Sequence, residues 1–288
     1  MDKEQKAIAR LKEAAMMSKT YYQKPLIVTT SGGKDSDVCV YLALAAGINF
    51  EVQHSHTTAD APETVYHVRE TFKRLEEKGI QCTIKWPTYK GAPVTMWSLI
   101  PQKLMPPTRI VRYCCQILKE DGGKGRMITT GARWAESAKR RTRGIYETLK
   151  SDISKRITIN NDNDDKRKLF ENCRLQAKRV CNPIIDWSDS DVWDYIDAEH
   201  ININPLYQCG FSRVGCIGCP MAGKKGREFA FSRHNTYQRA YIRAFDRMIE
   251  ERKRRGLPCD WQTGIDVFHW WMEDGVLPGQ IEFEEMDV

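Results

Sequence analysis

The chain has 288 residues, 41% of them hydrophobic and 29% charged, with a formal net charge of +7 and ten cysteines. That length can bury a sizeable core, as one large domain or one domain with a small appendage, and the composition is ordinary for a globular protein. No apolar run approaches a membrane span and the charged N-terminus lacks a signal-peptide core, so a cytoplasmic location is expected, where cysteines serve metal or sulfur chemistry rather than disulfides.

Residues 1–22 set Ile8, Leu11, Ala15 and Met16 at helical spacing among Lys, Arg and Glu, which predicts an amphipathic helix. Leu26-Ile-Val-Thr-Thr30 is a short β-branched run of the buried parallel-strand type, and helical spacing resumes from Ser36 through Val38, Val40, Tyr41 and Leu44. Between them lie Ser31-Gly32-Gly33-Lys34-Asp35-Ser36. A strand that turns through two glycines into a helix aims several backbone N–H groups at one spot, and the helix N-terminus adds positive charge there. Such a turn is an anion site whose usual occupant is phosphate. Its wording is neither a Walker A loop nor a G-x-G-x-x-G fingerprint.

Ala46-Gly47 ends that helix, and residues 49–54 read as a second strand. A helix from Pro62 to about Lys78 stops at Gly79, and residues 81–86 form a third strand. Residues 87–112, rich in Pro and large apolar residues without periodicity, suit a functional loop or lid with short helices. Residues 126–130 are a further strand, ending at Gly131. Residues 151–178 form a polar insertion, with 160–165 as a turn or disordered tip, and 180–185 return as a strand or extended segment. Ser188 caps a helix to about Ala198 with Asp191 at N3, and a long helix runs from about Glu228 to Arg255 with Tyr237, Tyr241, Phe245 and Met248 on one face. Strands alternating with helices predict an α/β fold with a doubly wound parallel sheet, binding its ligand at the carboxyl ends of the strands. The expected division is a nucleotide-binding domain over 1–205 and a C-terminal helical, cysteine-bearing extension over 206–288 packed on it.

Two cysteine pairs are the second signal, Cys114-Cys115 and Cys216-Ile-Gly-Cys219. A C-x-x-C turn brings two thiolates to one metal centre. Adjacent cysteines hardly fit one tetrahedral ion but can reach different irons of a cubane, so four thiolates favour a [4Fe–4S] cluster over zinc. Cys209, shortly before Cys216, competes with Cys114 and Cys115 as a ligand. Cys39, Cys82, Cys173 and Cys181 sit in strand or helix patterns and read as core, and Cys259 has no assigned role. Arg133, Arg140, Arg141 and Arg143, after a strand end, are of the type that clamps phosphates bidentately.

Ser31-Gly-Gly-Lys-Asp-Ser36 matches the SGGxDS signature of the PP-loop ATP pyrophosphatases, and its order with Cys-Cys and then C-x-x-C resembles the phosphoadenosine phosphosulfate (PAPS) reductase family. Gly131-Ala-Arg133-Trp-Ala-Glu136-Ser137-Ala-Lys-Arg140 is similar to that family's G-x-R-x-x-E-S-x-x-R, and Pro62-Glu63-Thr64 matches its P-E-T. Pro183-Ile-Ile-Asp-Trp187 with Asp191-Val-Trp193 and Tyr195 looks like its P-[IL]-x-x-W…D-V-W-x-Y segment. The resemblance implies an adenine nucleotide alpha hydrolase-like fold. It also implies ATP on Ser31, Gly32, Gly33, Lys34, Asp35, Ser36, Gly131, Arg133, Glu136 and Arg140. Lys34, Asp35, Ser36 and Arg133 would then be catalytic, with Asp35 the acidic partner of Mg²⁺, and Cys114, Cys115, Cys216 and Cys219 would hold the cluster.

Two departures stand out. The reductases' E-C-G-x-H motif has no counterpart in residues 280–288, and His56-Thr57-Thr58 stands where they have D-T-G. The pattern is closer to the non-reductase branch, which includes the Dnd- and Ssp-type proteins of DNA phosphorothioation. The resemblance thus implies an iron–sulfur ATP pyrophosphatase, forming AMP and pyrophosphate, that adenylates an acceptor for sulfur transfer. Its implied partners are a cysteine desulfurase as sulfur donor, DNA as acceptor, and other proteins of a modification system, with no membrane. Basic and aromatic residues in Arg133–Arg143 and Lys224–Arg239 would carry the nucleic-acid strand. The competing readings are a PAPS or adenosine phosphosulfate reductase, a tRNA-thiolating PP-loop enzyme, and a non-enzymatic nucleotide-binding or cluster-sensing subunit.

Overall fold

A computed structural model describes residues 2–119, 123, 125–149, 158–159 and 178–273. Most of the polar insertion, Cys173 and the tail over 280–288 lie outside the described residues. The chain gathers into two compact units, residues 1–56, 62–86 and 121–215 in one, and residues 57–61, 87–120 and 216–288 in the other. Each unit draws on separated stretches, so the division does not fall at a single point near residue 205.

The first unit is built on a sheet. Strands β1 (Leu26–Thr30), β2 (Phe50–Ser55) and β3 (Cys82–Lys85) run parallel to one another. The paired segments β4 (Thr88–Tyr89) and β5 (Ala92–Pro93) belong to the second unit. In the first unit the sheet continues with β6 (Met127–Thr129), β7 (Tyr146–Leu149), β8 (Thr158–Ile159) and β9 (Lys178–Cys181). The order is β3-β2-β1-β6-β9-β7-β8, with β6 and β9 parallel to β1, β7 antiparallel to its neighbours β9 and β8, and β8 therefore running in the direction of β1. The chain therefore winds from β1 outward on one side and returns to β6 on the other. Ligands of open α/β sheets sit at that point of reversal, outside the carboxyl ends of the strands.

Burial explains the strand register. Leu26 and Val28 face a core shared with Ala7, Leu11, Ala14 and Met17 of helix α1 (Lys3–Tyr22) and with Val38 and Leu42 of helix α2 (Lys34–Ala45). Ile27, Ile128 and Val180, adjacent in register on three strands, make a second cluster on the alternate positions. A slip of one residue would exchange the two sets. Within α1 the buried face is rotated from the expected one: Leu11 is buried, Ile8 and Ala15 are half-buried at its edge, and Met16 is 63% exposed while Ala7, Ala14 and Met17 are buried. Helix α3 (Pro62–Glu76) ends before Gly79, whose φ of 78° is the left-handed conformation foreseen there.

In the second unit, β4 and β5 form a hairpin through Lys90 and Gly91, both at positive φ. It leads to helix α4 (Met96–Lys103) and the short helix α5 (Tyr113–Leu118), where the sequence had no periodicity to offer. Helix α6 (Asp189–Ala198), in the first unit, begins at the predicted capping box, Ser188 accepting from the Asp191 amide and Asp191 from the Ser188 amide.

The long helix expected from Glu228 to Arg255 is in fact two, α7 (Gly223–Arg233) and α8 (Asn235–Arg254), separated at His234 with φ −126° and ψ 60°. Neither Pro nor Gly marks the break. Ser232, His234, Asn235 and Thr236 are all weak helix formers, and the break costs little there. Helix α9 (Gly264–Met272) packs on α8, where Tyr241, Phe245 and Trp271 lie within 6.0 Å of one another, ring centre to ring centre. Buried Arg227 donates to the carbonyls of Trp271 and Met272, which satisfies the end of α9.

Candidate functional site

The Ser31–Ser36 turn follows β1 and opens α2, at the reversal point of the sheet. Gly32 has φ 73°, and a Cβ there would come within 2.9 Å of Thr64 Cγ2 and 3.0 Å of Val68 Cγ2 on α3. Only glycine lets the turn lie this close to α3. Three turn amides already donate to side-chain hydroxyls: Ser31 N–H to Ser36 Oγ at 3.1 Å, Gly32 N–H to Thr30 Oγ1 at 3.1 Å, and Lys34 N–H to the Tyr207 hydroxyl at 3.0 Å.

Around the turn two cations and two carboxylates interlock. Arg133 is 2% exposed; its Nε donates to Asp35 Oδ1 at 2.6 Å, its Nη2 to Asp189 Oδ1 at 2.7 Å, and its Nη1 to the Trp187 carbonyl at 3.3 Å. Buried Lys34 donates to Asp35 Oδ1 at 3.2 Å and Asp189 Oδ1 at 3.0 Å, and its ammonium stands 5.9 Å from the Trp193 ring centre. Lys34 and Arg133 hold the Asp189 carboxyl below the usual carboxylate range. The arrangement depends on Gly131, where a Cβ would meet the Asp35 backbone carbon at 2.7 Å and its oxygen at 2.8 Å. Absence of that Cβ is what lets the loop after β6 deliver Arg133 to Asp35.

The remaining predicted residues divide. Glu136 accepts from the Arg133 amide at 3.0 Å and pairs with Arg140 at 3.0 Å, so both support the turn that carries Arg133. Burial lowers the Arg140 pKa. Arg143 pairs with Glu147, and Arg141 is exposed. Among the described residues, Arg133 is the one of the four arginines that bonds Asp35 and Asp189. Asp189 and Tyr207 were not foreseen. Asp189 lies in Ser188-Asp-Ser-Asp191, a wording fully accounted for by a helix start, and Tyr207 follows the Asn204-Pro205 turn with no motif of its own.

The cysteine centre lies within the second unit. Cys114 and Cys115 sit on α5, Cys216 and Cys219 flank a turn closed by the Cys219 amide on the Cys216 carbonyl at 3.2 Å, and all four are free thiols. Gly218, at φ 72°, leaves no room for a Cβ, which would lie 2.7 Å from Phe231, 2.8 Å from Tyr241 and 3.0 Å from Trp271. Cys115 is drawn to the thiolate side by its hydrogen bond with Cys114 and by Arg112, whose Nη2 stands 3.3 Å from its sulfur; the same bond pushes Cys114 upward. Burial raises Cys216, against the pull of Lys119. The Lys119 ammonium is in turn held above the ordinary lysine range, first by Cys216 and then by Asp60, Cys219 and Cys115. The four sulfurs thus share one electrostatic environment with Arg112 and Lys119. Thr57 and Asp60 accept from the Cys216 thiol at 3.3 and 4.0 Å. Cys209 belongs to the first unit, and Cys39 and Cys181 are buried.

A family model described as the phosphoadenosine phosphosulfate reductase domain matches residues 25–222, and the chain belongs to that family. An uncharacterized protein of Methanocaldococcus jannaschii is 27% identical over 203 residues, which are 69% of this chain and 36% of that protein. The chain spans about a third of that relative's length. An adenosine 5'-phosphosulfate reductase of Neisseria meningitidis is 44% identical over 52 residues, 18% of this chain and 21% of that enzyme. Among solved structures, the PAPS reductase of Candida auris aligns with a TM-score of 0.47 at 15% identity, covering 73% of this chain and 87% of that one. Among the described residues, no helix is long and apolar enough to cross a membrane.

Proposed function

We propose that this chain is an iron–sulfur ATP pyrophosphatase that adenylates an acceptor for sulfur transfer, the acceptor being the sugar–phosphate backbone of DNA. The observation that carries this reading is the placement of buried Lys34 and Arg133, both paired with Asp35, at the glycine turn that opens α2. A helix N-terminus with two fixed cations is complementary to a polyphosphate. Attack of an acceptor oxygen on the α-phosphorus would expel pyrophosphate, and Lys34 and Arg133 would stabilise the charge that gathers on the departing group. A persulfide supplied by a cysteine desulfurase would then attack through its outer sulfur and displace AMP, which leaves with the acceptor's oxygen, and a thiol reductant would cleave the remaining S–S bond to the donor, becoming oxidised to a disulfide.

Asp35 and Asp189 offer the hard oxygen donors that Mg²⁺ takes. The thiols of Cys114, Cys115, Cys216 and Cys219 fit a [4Fe–4S] cluster, four soft donors with Arg112 and Lys119 beside them to balance thiolate charge. Such a cluster supplies electron-transfer or sulfur-carrying chemistry when bound. The family match favours a second reading, reduction of a sulfonucleotide by the same fold.

The acceptor is tested by mass spectrometry of nuclease digests from host cells with and without the gene. Phosphorothioate-linked dinucleotides that vanish with the gene are expected. Loss of a thiolated tRNA nucleoside instead would assign the sulfur to a base and overturn the backbone as acceptor.

A further inference from the structure

The turn is held from beneath by side chains of which Thr30, Asp37, His67 and Asn204 belong to none of the motifs named above. On one side, Gly32 N–H donates to Thr30 Oγ1 at 3.1 Å, and Thr30 Oγ1 donates to Asp37 Oδ1 at 3.3 Å, with Ser36 Oγ also 3.3 Å away. The other oxygen of Asp37 faces His67 Nε2 of α3 at 2.8 Å. Asp37 is 3% exposed and His67 5%. On the other side, Asn204 Nδ2 donates to the Gly32 carbonyl at 2.9 Å and to Thr64 Oγ1 at 3.0 Å. Both peptide groups of Gly32 are therefore fixed, one through the line His67–Asp37–Thr30 and the other through Asn204 and Thr64.

A trans peptide sets its N–H opposite its C=O. With the Gly32 carbonyl tied to Asn204, the Gly33 N–H must point away from Asn204. A buried carboxylate with a hydrogen-bonded partner is rigid, because neither group can turn without leaving a polar atom unpaired. In the tautomer with its proton on Nε2, His67 donates to Asp37, and Asp37 accepts from both His67 and Thr30.

We propose that Asp37 and His67 are positioning residues for the nucleotide site: through Thr30 they lock the Gly32 peptide and so preset the turn for phosphate. This rests on the reading of Ser31–Ser36 as the phosphate-binding turn. A pair that served stability alone would contribute independently of Thr30, whereas a line acts as a unit.

The test is a double-mutant cycle on the full chain, with the dissociation constant for ATP as readout. Thr30→Val and His67→Ala are each expected to weaken ATP binding about tenfold, the worth of one charge-assisted hydrogen bond, and the double variant to bind no more weakly than either. His67→Gln, which keeps a donor, should bind within about threefold of the parent. Constants unchanged within about twofold, or effects that multiply in the double variant, overturn the proposal. Should His67→Ala fail to fold, the other two single variants decide: weakening by Thr30→Val with His67→Gln near the parent upholds it, and no change in Thr30→Val overturns it. Parent protein that does not bind ATP overturns it as well. ATP bound without pyrophosphate release leaves the positioning line standing and removes only the pyrophosphatase reading.

Discussion

Asp35 accepts from Arg133 at 2.6 Å and from Lys34 at 3.2 Å through the same oxygen, so one carboxylate sets the place of both cations. Gly131 makes that possible by leaving out one carbon. Gly131→Ala would press a Cβ onto the Asp35 backbone, which cannot yield as a side-chain tip would. The expected cost is about 1–3 kcal/mol in urea denaturation, with weaker ATP binding. Gly215→Ala, whose Cβ would meet nothing within 4 Å, should stay within about 0.5 kcal/mol of the parent. Equal stability of the two variants would contradict this account of the close approach.

At this scale the sequence was legible where chemistry has a wording, as in Ser31–Ser36, Gly131, Arg133 and the cysteine pairs. Asp189, Asp37 and His67 were not legible. An acid in a first helical turn is explained by the helix dipole, and a buried Asp–His pair between α2 and α3 has no sequence spacing to betray it.

The elements show a similar pattern. The parallel strands and the α6 capping box were legible because β-branched runs and Ser-x-x-acid are local signals. The break at His234 was not, since weak formers permit a break without requiring one. The capping box also gives a pH dependence. Lys3, and then the Ser188 hydroxyl, hold the Asp191 carboxyl at about 2, against an ordinary value of 3.8. A depressed carboxyl contributes stability that is full above its unfolded value and is lost as the pH falls through the folded one. Asp191→Asn should therefore be less stable than the parent at pH 6, by an amount limited by the exposure of the Lys3–Asp191 pair, and the gap should close between pH 4 and pH 2. A difference that persists unchanged at pH 2, followed by thermal denaturation, would show that the charge of Asp191 is not what secures the start of α6.

For the whole molecule, the division into two units separates two chemistries. The first holds the glycine turn with Lys34, Arg133, Asp35 and Asp189, and the second holds the four thiols with Arg112 and Lys119. The net charge of +7 suits a protein that meets a polyanion. Membership of the PAPS reductase domain family is compatible both with activation of an acceptor by ATP and with reduction of a sulfonucleotide. The products made from nucleotide separate them. Anaerobically purified protein, given ATP labelled at the α-phosphate with Mg²⁺, DNA and a cysteine desulfurase, is predicted to form AMP and pyrophosphate in equal amounts. Formation of ADP and phosphate, or no turnover of ATP alongside thiol-dependent release of sulfite from PAPS, would contradict it.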